Sequence, residues 1–196
     1  MEFYVNEQKI DITLEDEKTI GDVLRSFEEN CAQNKSTTIA INVDGINVTA
    51  ENFDQVATGA ITDTTIVKVS VVSEMQIAEA FKESSTKVSR ISEAMIEVPV
   101  ALQSGKDSQA HKAIAELADA IDNFCHIVTL STLFPERFDK ISINGMKLSD
   151  FFADFAAILK DLNEAMANND TALIGDLAEY EICPRLNNLA EAAKDF

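Results

Sequence analysis

The sequence predicts an α+β protein in two parts: a strand-rich N-terminal domain over residues 1–72, then an antiparallel four-helix bundle over residues 73–196. Three observations predict it. Up to Val72 the apolar residues alternate in short β-branched runs, with one helical interlude. Beyond Ser73 they recur every three or four residues over long stretches, the period of helices with one buried stripe. Hydrophobic residues make up 46% of 196 residues, enough to give each part a core.

Phe3, Tyr4 and Val5 open a strand, and Asn6, Glu7 and Gln8 form a turn. The following KIDITL alternates, with Ile10, Ile12 and Leu14 on one face, so the first two strands make a hairpin. Thr19 is an N-cap for a helix whose buried stripe is Ile20, Val23, Leu24 and Phe27. STTIAINVDG reads as a strand with Ile39, Ile41 and Val43 on one face, ended by the tight-turn pair Asp44-Gly45. Ile46 and Val48 begin a short return strand, and TTIVKVSVV has the β-branched content of a central strand.

This order of two strands, a helix, a strand, a short strand and a last strand resembles the ubiquitin-like β-grasp, over residues 1 to about 72. Conjugated members of that fold end in a free Gly-Gly carboxylate. Here Val71, Val72 and Ser73 run straight on into a helix, so the resemblance implies a docking module rather than conjugation chemistry.

In the second part Ile77, Phe81, Val88, Ile91, Met95, Val98 and Leu102 are spaced 4, 7, 3, 4, 3 and 4 apart, a heptad seam. A helix of about 28 residues, roughly 40 Å long, is expected, with Pro99 kinking it or ending it near Val98, the kink being favoured, and with Ser84, Ser85 and Thr86 weakening its middle. Gly105 closes it, and Asp107 or Ser108 caps a second helix carrying Ile114, Leu117, Ile121, Phe124 and Val128. Pro135 ends that helix, and Ile141, Ile143 and Asn144-Gly145 predict a small β-hairpin near residues 136–147. Ser149 caps a third helix with Phe152, Phe155, Leu159, Leu162 and Met166 on its stripe, widened by Phe151 and Ile158. Asp170 caps a fourth, with Leu173, Leu177 and Tyr180 in phase, then Ile182, Leu186 and Leu189 out of phase, with a local kink or break at Pro184.

The formal charge is -18. Residues 1–72 hold 13 acids against 5 bases, and residues 73–196 hold 21 against 11, so both parts are acidic. Such a surface disfavours nucleic acid and anionic membrane and suits basic protein segments. The termini show no secretory signal pattern and no run of 18 apolar residues, so a cytoplasmic protein is expected. The three cysteines, Cys31, Cys125 and Cys183, share no metal or redox spacing and read as buried thiols.

Chemistry-bearing patterns are few. The two histidines, His111 and His126, have Ser108 and Asn123 three positions before them, so the Glu-x-x-His pairs of a di-metal bundle are missing. Cys125 and His126 are adjacent, so on a helix they diverge by about 100°, and His126 reads as partly buried. The six glycines are scattered, which excludes a phosphate-binding loop. In DLAEYEICPRL, Glu179 and Glu181 point apart on a helix, and Arg185 is placed to pair with Glu181. The stretch from Ser149 onward, with Asp176, Leu177, Glu179, Tyr180, Glu181, Pro184 and Leu186, is similar to the C-terminal segments of uncharacterised acidic helical proteins of bacteria, a resemblance that implies no activity. In style the chain also resembles secretion and flagellar export chaperones.

The expectation is therefore a non-enzymatic interaction module, adaptor- or chaperone-like, binding a partner helix or a basic protein segment. No cofactor, metal or catalytic residue is expected. Phe134, Phe151, Phe152, Tyr180 and Arg185 are the candidate partner anchors, since aromatic and arginine side chains dominate such contacts. The alternative is a self-assembling structural protein, a homodimer paired through the first long helix.

Overall fold

The computed structural model describes residues 1–194. The chain divides into two compact units, residues 1–76 and residues 77 onward.

The first unit is built on a mixed sheet of β1 (Glu2–Val5), β2 (Gln8–Ile10), β3 (Ser36–Val43), β4 (Ile46–Val48) and β5 (Ile66–Ser73), with α1 (Ile20–Gln33) and α2 (Phe53–Ala57). Its strand order is β2-β1-β5-β3-β4. β1 and β5 run parallel, with Phe3 opposite Val67, and the other pairs are antiparallel. Two tight turns close the hairpins, through Asn6 and Glu7 (φ 48° and 68°) and through Asp44 and Gly45 (φ 51° and 85°). Thr19 caps α1 reciprocally. Its hydroxyl accepts from the Asp22 N–H at 3.2 Å, and the Asp22 carboxylate accepts from the Thr19 N–H at 3.0 Å. Ile20, Val23 and Leu24 of α1 then pack on Phe3, Val43, Val67 and Val69 of the sheet.

Two expectations for this unit are corrected. β2 stops at Ile10, opposite Phe3, so the strand does not run on through Leu14. Ile12 still packs on the core, but Leu14 is exposed. β3 carries a bulge: Thr38 faces Val71 and Ala40 faces Ser70, so Ile39 is an extra residue between them. The bulge breaks the alternation and leaves Ile39 exposed while Val43 stays buried.

Ser73 and Gln76 then start a helix. The Ser73 hydroxyl accepts from the Gln76 N–H at 3.2 Å, and the Gln76 side chain accepts from the Ser73 N–H at 2.8 Å.

The second unit holds seven helices among the described residues: α3 (Glu74–Ile96), α4 (Val98–Gln103), α5 (Asp107–Ser131), α6 (Pro135–Phe138), α7 (Leu148–Ala167), α8 (Thr171–Asp176) and α9 (Cys183–Lys194). A π-helical segment, Leu177–Ile182, joins α8 to α9. A short hairpin of β6 (Ser142–Ile143) and β7 (Met146–Lys147) turns at Asn144 and Gly145, both at positive φ.

The seam residues Ile77, Phe81, Val88, Ile91 and Met95 are all buried inside this one chain. The heptad seam thus packs within the chain itself. The helix is disturbed where Pro99 led one to expect it: α3 ends at Ile96, and α4 restarts at Val98 after the single residue Glu97, with the proline in its first turn. Gly105 (φ 70°) ends α4, with the Lys106 N–H donating to the Ala101 carbonyl at 2.8 Å and the Gly105 N–H to Leu102 at 3.1 Å. Neither Asp107, Ser108 nor Ser149 caps a helix. α5 follows Lys106 and α7 follows the extended Lys147 without any side-chain cap, which puts Asp107 and Asp150 in first turns, where their charge suits the helix dipole. Asp170 does cap, accepting from the Leu173 N–H at 3.0 Å.

Small residues let these helices come close. The Ser85 hydroxyl donates to the Ala190 carbonyl at 2.7 Å and that of Ser92 to the Cys183 carbonyl at 3.3 Å, tying α3 to α9. Gly175 of α8 sits against Pro99 of α4, where an added Cβ would lie 3.2 Å from the proline ring. Among the described residues no buried side-chain nitrogen or oxygen lacks a hydrogen-bond partner, and no helix is long and apolar enough to cross a membrane.

Candidate functional site

The most distinctive local structure is the stretch from α8 to α9. Pro184 has no N–H to donate, and its ring would collide with the carbonyl four residues back in a regular helix. The chain answers by widening. The Cys183 N–H donates to Ala178, five residues earlier, so the π spacing runs up to the proline. This extra residue per turn also explains the phase shift between Leu177 and Ile182. Both are buried, as are Leu186 and Leu189 beyond the proline.

Arg185, in the first turn of α9, stiffens the wide turn. Its Nη1 donates to the Glu181 carboxylate at 2.7 Å and to the Glu181 carbonyl at 3.0 Å. Its Nε and Nη2 converge on one oxygen of Asp154 in α7, at 2.9 and 2.8 Å. The pairing with Glu181 matches the i, i+4 spacing of the sequence, and the link to Asp154 has no counterpart there. These two carboxylates raise the Arg185 pKa against the opposing effect of burial, so the guanidinium is a permanent charge.

Tyr180 lies on the outer side of the π turn, 65% exposed. The neighbouring Glu179 carboxylate pushes the phenol pKa up, helped by burial and the charge of Asp176. The turn thus presents one large aromatic ring among acids, on backbone held by Arg185.

The phenylalanines are placed differently. Phe151 is buried and joins a row of rings that runs Phe138, Phe81, Phe124, Phe152, Phe151, Phe155, with centroids 5.5–5.9 Å apart. Adjacent Phe151 and Phe152 share this core because their rings meet edge to face, at 86°. Phe151 is therefore a core residue rather than an exposed anchor, and Phe152 is half-buried in the same row. Phe134 is half-buried at the corner between α5 and α6, where its carbonyl accepts from the N–H groups of Arg137 and Phe138. Of the five candidate residues, the structure brings Tyr180 and Arg185 into one site and adds Asp154 and Glu181 to it.

The remaining reactive groups stand apart from this site or are masked. His126 is exposed rather than partly buried, and Cys125 is half-buried beside it. Burial, the leading cause, pushes the thiol pKa of Cys31, Cys125 and Cys183 up, which keeps them protonated at neutral pH. Among the described residues no three of His, Cys, Asp and Glu are grouped to hold a metal ion.

The comparisons with known proteins divide the chain near the same place. Residues 1–73 match the model of the TP0873 N-terminal domain, and residues 79–192 match that of a domain of unknown function, DUF8042. The chain is 27% identical over 191 residues to an uncharacterised protein of Treponema pallidum (strain Nichols), an alignment covering 97% of this chain and 95% of that one. No solved structure matches. The match over residues 79–192 takes in more than half of the chain, which therefore belongs to the DUF8042 family.

Proposed function

We propose that this chain is a non-enzymatic protein-interaction module, adaptor- or chaperone-like, that acts in the cytoplasm and binds a helix or a basic segment of a partner protein. The observation that carries the reading is Tyr180: a ring 65% exposed, on a π turn that the Arg185 bridge to Asp154 and Glu181 holds in shape. Burying such a ring removes a large apolar surface from water, and its rigid presentation lowers the entropy cost of binding. The acids around it favour a basic partner and speed its approach.

The architecture is consistent with this use. We read the first unit as a β-grasp, because its strand order, its parallel β1–β5 pair and its single long helix on one face are those of that fold. We read the second as a four-helix bundle in which α3 with α4, α5, α7, and α8 with α9 each form one helical rod. Both provide rigid surfaces, and the protonated thiols and exposed His126 offer no nucleophile–base pair.

The test is co-purification of the full chain from cells that express it naturally. A stoichiometric protein partner is expected with the wild type and with Tyr180→Phe, and it should be lost with Tyr180→Asp. Turnover of a small molecule by the purified chain, or partner binding indifferent to Tyr180→Asp, would overturn the reading.

A further inference from the structure

The first unit has a second feature that Tyr180 does not explain. β3 is eight residues long, but β4 covers only Ile41–Val43 of it. Among the described residues no strand pairs with Ser36–Ala40 on that side, so half of β3 is an open edge. Open edges are templates for strand addition, and proteins usually blunt them. Here the blunting comes from a side chain of α1. The Glu28 carboxylate accepts from the Thr38 N–H at 3.1 Å and from the Thr37 hydroxyl at 2.7 Å, standing where a neighbouring strand's carbonyl would stand.

A groove of about 460 Å³ opens beside this edge. Leu24 of α1, Ile41 of β3, and Phe53 and Ala57 of α2 make its apolar wall, with Arg25, Glu28 and Thr38 at its margin. Phe53 is 40% exposed. Gly21 lets α2 approach α1 closely: an added Cβ there would lie 3.0 Å from Ala57. The groove is thus a consequence of the packing of α1, α2 and β3.

We propose that the open half of β3 and the adjoining groove bind an extended segment of a partner protein in which apolar and basic side chains alternate. Each part of the surface asks for one property. The unpaired edge asks for extended backbone, not helix. The groove takes an apolar side chain, and in a strand every second residue points the same way. The charge asks for lysine or arginine, since residues 1–72 carry 13 acids against 5 bases. The same charge argues against a second copy of this chain, because two copies at -18 each repel. On binding, a carbonyl of the incoming strand takes over the Thr38 N–H, and the released Glu28 carboxylate pairs with a basic side chain. This deepens the interaction-module reading by adding a second surface, and rests on it.

The chain contains no tryptophan, so a peptide carrying one is an unobscured probe. The probe is acetyl-Lys-Val-Lys-Trp-Lys-Val-Lys-amide, titrated with the full chain and read by tryptophan anisotropy and by amide shifts of residues 36–41. Saturable binding is expected at moderate salt. It should weaken about tenfold or more, or about 1.4 kcal/mol, when alternate peptide nitrogens are methylated, when glutamate replaces the lysines, or when Phe53→Glu is introduced. Methylation leaves the protein untouched, so that arm stands even if Phe53→Glu fails to fold. Absence of binding, equal binding of the methylated peptide, tighter binding of a helix-forming peptide of the same composition, or a dimer by light scattering that Phe53→Glu dissolves would each overturn the proposal. A partner that co-purifies through Tyr180 while the peptide fails would leave the interaction-module reading standing and remove this one.

Discussion

Replacing Arg185 by methionine keeps most of its stem but deletes the bridge that holds the π turn. Both acceptors are half-exposed, the Asp154 and Glu181 side chains at 49% and 43%, while the Arg185 side chain is 22% exposed. Water therefore screens the pairs, and each contributes at the upper end of the surface range, about 0.5–1 kcal/mol. The bond to the Glu181 carbonyl adds a smaller amount. Together Arg185→Met is expected to cost the second unit about 1–2 kcal/mol, a fall of roughly 3–6 °C in midpoint for a chain this long. The second half of a double-mutant cycle, Asp154→Asn, should recover a coupling of about 0.5–1 kcal/mol, because the two residues act on one bond network. The assay is urea unfolding followed by tyrosine fluorescence. The two tyrosines, Tyr4 and Tyr180, fall one in each unit, so a Tyr4→Phe background makes Tyr180 the sole reporter. In 1 M salt the coupling should shrink. A loss below about 0.3 kcal/mol with no coupling to Asp154 would refute the claim that the bridge stiffens the turn.

Three further outcomes follow from the packing and the charges. Burial raises the Glu28 pKa, but its bonds to Thr37 and Thr38 outweigh that and leave it lowered. Its contribution is therefore present above the unfolded carboxylate pKa, near 4.3, and lost as pH falls through the lower folded value. Urea midpoints of the first unit measured from pH 6 to pH 3 should fall less steeply in Glu28→Gln than in the wild type. Gly175→Val pushes a branched side chain into Pro99 and should cost about 2 kcal/mol by thermal melting. Phe151→Ala should cost about 3 kcal/mol or more, since the ring is buried in the aromatic row, and the half-buried Phe134→Ala clearly less.

Where the sequence was legible, the signal was local. Thr19 with Asp22, Asp44-Gly45, Gly105, Asn144-Gly145 and Asp170 each set the backbone of their own neighbourhood, and each does so in the structure. The apolar period placed the α3 seam correctly, because burial on one face is a property of spacing, but it failed on the fourth helix, where Leu173 and Tyr180 were expected on one stripe with Leu177 and are instead 42% and 65% exposed. The capping pair Ser73 and Gln76 was equally local and could have been found from its S-x-x-Q spacing.

What spacing did not reveal depends on partners far along the chain. Ser85 looks like a weak point in a heptad until Ala190 supplies its acceptor, and nothing in the spacing marks Ser92, whose acceptor is Cys183. Asp154 is one acid among many on α7, marked out only when α9 brings Arg185 to it. The β3 bulge at Ile39 reflects register with β5, and the open edge beside it reflects the shortness of β4. Pro184 announced a disturbance, but whether a proline yields a kink, a break or a π turn depends on what packs around it.

The central claim is that the chain offers shape and negative charge to another protein and carries no reacting group. Native mass spectrometry of material purified gently from its own cells tests this most directly. The account predicts the mass of the chain plus one stoichiometric protein partner, released by raised salt and absent with Tyr180→Asp. A chain that instead retains a metal ion or a small molecule, with no protein bound, would contradict it.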